Sequence, residues 1–161
     1  MAISQAQPLL LPLFVSLLFL PAALGIRFET CKSGHHYPVD VKTVEIAPYP
    51  IKRSTNGNFT ITGYTSTEIT NGATVELRFT IPTMIPVTKK IYSLCDIVAC
   101  PVAPGPIVFT LSNIFTEQEL LYRGYQVSIS ITAEHQKEAL MCVWFTCMFR
   151  GHTSLLKEAT E

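Results

Sequence analysis

Tyr125-Gln126-Val127-Ser128-Ile129-Ser130-Ile131-Thr132 sets a large apolar side chain at every odd position and a small or polar one at every even position. Successive side chains of an extended strand point to opposite faces, so this stretch reads as a strand with one face buried and one in water. The same period of two runs through Val75-Glu76-Leu77-Arg78-Phe79-Thr80-Ile81, with Glu76 and Arg78 on the wet face, and through Ile107, Phe109 and Leu111. Asn58 to Tyr64 is threonine-rich with Phe59 and Ile61 in phase. Thr67 to Val75 is broken by Asn71-Gly72, whose tolerance of positive φ suits a tight hairpin between two adjacent antiparallel strands. Val39 and Val41 share one phase and Val44 and Ile46 the other, which predicts a bulge near Lys42-Thr43; Pro48 and Pro50 then mark the strand's end. Ala139 to Phe149, containing Trp144, is apolar on both faces, as expected of a central strand covered on both sides.

About seven short strands, turn residues between them, and a single helical turn at Thr116 to Tyr122 define the class. The expectation is an all-β chain folded as an antiparallel β-sandwich of immunoglobulin-like architecture.

Ahead of the strands, Leu9 to Leu20 is almost wholly apolar and is followed by Pro21-Ala22-Ala23-Leu24-Gly25. This reads as a secretory signal peptide, residues 1–25, cut after Gly25, because the run is short for a span that needs about 20 residues. One domain over 26–150 and a flexible polar tail over 151–161 complete the organisation. The 12 basic and 12 acidic residues balance, and all lie after Gly25, so no basic surplus or stripe exists to bind nucleic acid.

Five cysteines (Cys31, Cys95, Cys100, Cys142, Cys147) in a secreted chain imply disulfides with one thiol left over. No CxxC or HxxxH pair accompanies them, and His35-His36 reads as a loop, so no metal site is expected. Neither a nucleophile with a base, nor paired carboxylates, nor a phosphate-cradling glycine loop has recognisable spacing. The chain therefore reads as a non-enzyme without a cofactor. Asn58-Phe59-Thr60 is its only Asn-x-Ser/Thr sequon, just after the Asn56-Gly57 turn, which makes Asn58 a glycosylation candidate.

Several segments together resemble one known family. They are Cys31, Val44-Glu45-Ile46-Ala47-Pro48-Tyr49-Pro50, Tyr92-Ser93-Leu94-Cys95-Asp96, Cys100-Pro101-Val102-Ala103-Pro104-Gly105 and Leu140-Met141-Cys142-Val143-Trp144-Phe145. The set is similar to the ML-domain lipid-recognition proteins, the family of the Niemann-Pick type C sterol carrier and the group-two mite allergens, in its plant-type branch. Cysteine followed by Pro-Val-Ala-Pro-Gly is the most specific piece. Two departures stand out: the third disulfide usual in animal members is missing, and the family's Pro-Pro-Gly before the penultimate strand is here Tyr122-Arg123-Gly124.

The resemblance implies pairing of Cys31 with Cys142 and of Cys95 with Cys100, leaving Cys147 as a buried, inert thiol. It also implies a lipid carrier, with a sterol or phospholipid held in an apolar cavity between the sheets, serving intracellular sterol or lipid transport. The disulfides would keep the two sheets from collapsing or separating. Candidate liners are Phe59, Ile61, Leu77, Phe79, Ile81, Ile107, Phe109, Val127, Ile129, Val143 and Phe145. Ile81-Pro82-Thr83-Met84-Ile85-Pro86-Val87 is the candidate mouth, with Met84 and Ile85 as lipid contacts, because prolines interrupt pairing while apolar residues remain abundant. Lys89 and Lys90 just beyond are candidates for an anionic headgroup or transient membrane-surface contact. The expected species is a monomer in the secretory pathway, extracellular or in a vacuolar or lysosomal lumen. The rival reading is a secreted module with a closed core that binds a protein or carbohydrate on its outer face.

Overall fold

The computed structural model describes residues 25–52, 56–81 and 86–150. The expected signal peptide and tail, and Met84 and Ile85, lie outside the described residues. Nine strands form among those described: β1 (Phe28–Thr30), β2 (Val39–Ala47), β3 (Ile51–Lys52), β4 (Asn58–Thr65), β5 (Thr74–Thr80), β6 (Pro86–Ser93), β7 (Gly105–Leu111), β8 (Gly124–Thr132) and β9 (Ala139–Arg150). Two 3-10 turns, Leu94–Asp96 and Glu119–Leu121, interrupt them.

The strands build two sheets. The larger runs β1-β9-β8-β5-β6, with β3 pairing in parallel beyond β1 on the same edge of β9; the smaller is β2-β4-β7. All other pairs are antiparallel. Alternation explains the layering: Tyr125, Val127, Ile129 and Ile131 of β8 and Val75, Leu77 and Phe79 of β5 are buried, while their even-numbered neighbours are partly or fully exposed. From the smaller sheet, Phe59 and Ile61 of β4 and Ile107, Phe109 and Leu111 of β7 meet them. The backbones of the two sheets come within 8 Å chiefly between β2 and β9. Elsewhere side chains, not backbone, fill the gap.

The predicted bulge is present: register slips between Val41 and Thr43 of β2, which returns Val44 and Ile46 to the core. Gly63 of β4 sits against the same kink, where an added Cβ would lie 2.7 Å from the Asp40 carbonyl oxygen. Only glycine lets the two backbones approach that closely.

Four expectations need correction. Asn71-Gly72 forms a turn with Gly72 at φ +85°, but not a hairpin: β4 belongs to the smaller sheet and β5 to the larger. Ile69, buried and bridged to Val102, pins this crossover instead. No strand was expected just beyond the candidate mouth, yet Lys89 and Lys90 lie at the centre of β6, an edge strand without period-two alternation because polar residues occupy both its faces. β9 is central, yet its outer side is not covered, since Met148 is 50 % exposed and Trp144 half-buried. The disulfides do form as expected, but neither spans the sandwich. Cys31–Cys142 extends the β1–β9 ladder within one sheet, with the Cys31 N–H donating to the Cys142 carbonyl at 3.1 Å. Cys95–Cys100 closes the loop between β6 and β7. Each bond thus staples a chain crossover from one sheet to the other.

Candidate functional site

Ten expected liners converge between the sheets. Phe59, Ile61, Leu77, Phe79, Ile107, Phe109, Val127, Ile129, Val143 and Phe145 are all buried. Ile81 lies just past the end of β5 and is half-buried. Val44, Ile46, Val75, Leu111, Tyr125, Ile131, Met141 and Cys147 belong to the same buried interior, although none of them was among the expected liners.

One end of the interior is aromatic. Phe115, from the connection between β7 and β8, inserts between the sheets, with ring centroids 5.9 Å from Phe59, 5.1 Å from Phe79 and 4.9 Å from Phe149. It stacks on Tyr125 at 6.0 Å. The Asn56 side chain holds it from the other side: the amide Nδ2 donates to the Phe115 carbonyl at 2.6 Å and the amide oxygen accepts the Phe115 N–H at 3.1 Å. Positive φ at Asn56 (54°) makes that reach possible.

Beside the aromatic end lies a polar edge that pattern reading did not reveal. In β6, Thr88, Lys90 and Tyr92 stand opposite Phe79, Leu77 and Val75, so they share the inward face, whereas Lys89 and Ile91 point outward. The two lysines are therefore not one basic patch. Lys89 pairs with Glu76 at 2.7 Å on the outer surface, where Arg78 also reaches Glu76. Lys90 turns inward: its Nζ donates to Glu119 Oε2 at 2.7 Å and to the Ile114 carbonyl, and lies 5.4 Å from the centre of the Phe79 ring.

Glu119 is buried, one of two buried polar side chains recorded among the described residues, the other being Thr65. Its carboxylate also accepts the Thr116 N–H at 2.7 Å, while its own N–H donates to the Thr116 hydroxyl at 3.4 Å. This reciprocal pair has the hydrogen-bond pattern of a capping box, set over the turn that leads into Glu119–Leu121, and Thr116-x-x-Glu119 was its legible signal. Burial alone would raise the Glu119 carboxyl pKa; hydrogen bonds from Lys90 and Thr116 and the charge of Lys90 outweigh it and hold the pKa below the ordinary value. Tyr92 is raised by burial and by the charge of Glu119. The Tyr125 hydroxyl, raised for the same two reasons and by Tyr122, donates to the Glu119 carbonyl at 2.8 Å.

A cleft of about 750 Å³ opens over this edge, lined by Thr88, Thr116, Gln118, Glu119, Leu121 and Tyr122. Leu121 and Tyr122 are exposed at its rim. Asn58 is exposed at the start of β4, and Cys147 is buried in the core, its thiol pushed up to about 12 by desolvation. No cluster of His, Cys, Asp and Glu able to hold a metal ion occurs among the described residues.

This arrangement, a two-layer β-sandwich with an apolar interior and staples at its crossovers, is that of a lipid-recognition domain: the chain belongs to the ML-domain family, whose model matches residues 25–149. It is 54% identical over 162 residues, across all of both chains, to the MD-2-related lipid-recognition protein ROSY1 of Arabidopsis thaliana. A second Arabidopsis thaliana relative, MD-2-related lipid-recognition protein 3, is 34% identical over 157 residues, 90% of this chain and 93% of its own. These relatives bear out the plant-type branch. Among solved structures, the Niemann-Pick type C2 protein from Japanese carpenter ant superposes with a TM-score of 0.58 at 15% identity, covering 78% of this chain and all of that one. That likeness concerns the fold.

Proposed function

We propose that this protein binds a lipid between its two sheets and carries it between membranes, the ligand being a sterol or phospholipid. The observation that carries the reading is the composition of the interior: ten inward side chains drawn from β4, β5, β7, β8 and β9 are apolar and shielded from water, in a chain whose family is one of lipid recognition. The names of its plant relatives agree with it. Each CH₂ of a lipid exposed to water costs about 0.8 kcal/mol, so an apolar lining shields an acyl chain or steroid body while it is away from a bilayer. Because the backbones of the two sheets approach closely chiefly along β2 and β9, separation of the side-chain layers elsewhere opens a chamber without breaking a strand ladder.

The protein acts as a monomer after removal of residues 1–25, with 26–150 as the domain and 151–161 as a flexible tail. Two disulfides fit an oxidising compartment, and we place the chain in the secretory pathway, extracellular or lumenal. Asn58 carries a glycan there, pointing into solvent. The mouth lies at Ile81 to Val87, so Met84→Asp or Ile85→Asp impairs lipid uptake. Binding rather than catalysis is the role.

Lipid extraction from native purified protein followed by mass spectrometry tests this directly. A bound lipid recovered in near-stoichiometric amount, together with transfer between liposomes, is the expected result. An empty ligand profile and no transfer of either sterol or phospholipid would overturn the carrier reading.

A further inference from the structure

We propose that Lys90 is the headgroup contact of the carrier and that it selects lipids bearing a phosphodiester, with Glu119 as the internal carboxylate that occupies Lys90 until the phosphate arrives. The inference rests on the carrier reading above and narrows its ligand class.

The interior between the sheets is apolar. A lipid held between the sheets leaves its polar end where polar groups face inward, and these concentrate at the β6 edge: Thr88, Lys90 and Tyr92 on the strand, Thr116 and Glu119 on the facing connection. A sterol hydroxyl needs one partner and gains little from an ion pair. A phosphate gains much, because ammonium-to-phosphate hydrogen bonds in a partly desolvated site are among the strong ones.

The ion pair is also an odd choice for stability alone. Its side chains are only 21% and 7% exposed, and pairs taken that far from water are often no better than apolar residues of the same volume. Its position is informative: Glu119 lines the open cleft together with Thr88, Thr116 and Gln118, residues that carry hydroxyl and amide groups. A phosphate entering the cleft therefore meets hydroxyl and amide donors, with Lys90 directly behind the Glu119 carboxylate. Exchange of carboxylate for phosphate on Lys90 preserves a counter-anion for the lysine, and the Ile114 carbonyl and the Phe79 ring hold its ammonium in place meanwhile. The exposed Leu121 and Tyr122 at the rim give the glycerol end of the lipid an apolar edge to pass.

The test uses two variants whose predicted effects have opposite signs. Glu119→Gln removes the competing carboxylate and keeps Lys90, so phospholipid uptake from liposomes rises severalfold. Lys90→Met combined with Glu119→Gln removes both charges at once, leaving no lone buried ion, and lowers the ratio of phospholipid to sterol uptake about tenfold, one charge-assisted hydrogen bond's worth. Phosphatidylglycerol, phosphatidylcholine and a fluorescent sterol are the probes; loss for both phospholipids assigns the contact to phosphate and not to net lipid charge. If Glu119→Gln and the double variant lower uptake of all three lipids alike, the pair merely fixes the connection and the proposal falls, while the carrier reading stands. If wild-type protein takes up none of the three, both fall together.

Discussion

The two disulfides differ sharply in what they hold, and removing them one at a time measures it. Cys31–Cys142 closes a loop of 111 positions and Cys95–Cys100 one of 5. On the chain-entropy account the longer loop is worth about 5 kcal/mol and the shorter about 2 kcal/mol. The bonds also sit differently: the first continues the β1–β9 ladder through Cys142, a strand position whose neighbours Met141 and Val143 are buried, while the second closes a partly exposed loop between β6 and β7. Replacing both cysteines of each pair by serine, and following unfolding in urea by Trp144 fluorescence, reads out the difference. With a slope of about 2 kcal/mol per molar urea, the Cys31→Ser/Cys142→Ser midpoint falls by between 2 and 3 M and the Cys95→Ser/Cys100→Ser midpoint by about 1 M. A domain of this size holds only about 5–15 kcal/mol in total, so the first variant folds poorly. Equal midpoint shifts, or a larger one for the short loop, would show that the bonds act through local native geometry and not by restricting the unfolded chain.

Other expectations follow from packing and charge. Phe59→Ala, which deletes the ring that meets both Phe115 and Phe145, costs about 3–5 kcal/mol in the same assay, and a loss under 1 kcal/mol would mean the site collapses freely. Gly63→Ala forces β2 and β4 apart at the bulge and lowers stability by about 2 kcal/mol, whereas Thr62→Ala on the same strand costs little. Glu119 and Glu76 both have folded pKa values below the ordinary 4.5, so their contribution is complete above that value and is lost as pH falls below it through the folded pKa. Thermal melts should be flat in pH above the carboxylate range and decline in acid, less steeply in Glu119→Gln. Cys147, with its thiol pushed up to about 12, should resist alkylation in the native protein and react at once in urea; fast native labelling would contradict its burial.

The layers were legible wherever one face is dry and the other wet. β8, β5, β7 and the kink in β2 could be drawn from residue order because period-two alternation encodes burial. What alternation does not encode is which strands share a sheet: nothing in Asn71-Gly72 separates a hairpin from a crossover, since both need positive φ and only the partners of β4 and β5 decide. β6 escaped because an edge strand tolerates polar residues on both sides, and Thr88-Lys89-Lys90-Ile91-Tyr92 has no dry face to announce it. The apolar part of the site was readable for the same reason as the core. Its polar part was not, because Lys90 and Glu119 are 29 positions apart and meet only after β6 and the β7–β8 connection have docked.

The strand order also sets a timetable for biogenesis. β9 lies at the heart of the larger sheet, with β1 on one flank and β8 on the other, so the earliest and latest strands of the domain are immediate neighbours. During vectorial synthesis β1 has no template until residues 139–150 have been delivered, and everything made before then waits with an unfilled slot and Cys31 still a thiol. Synthesis halted anywhere before residue 139 therefore leaves a polypeptide with most of its greasy surface made and no way to shut, a species for chaperones.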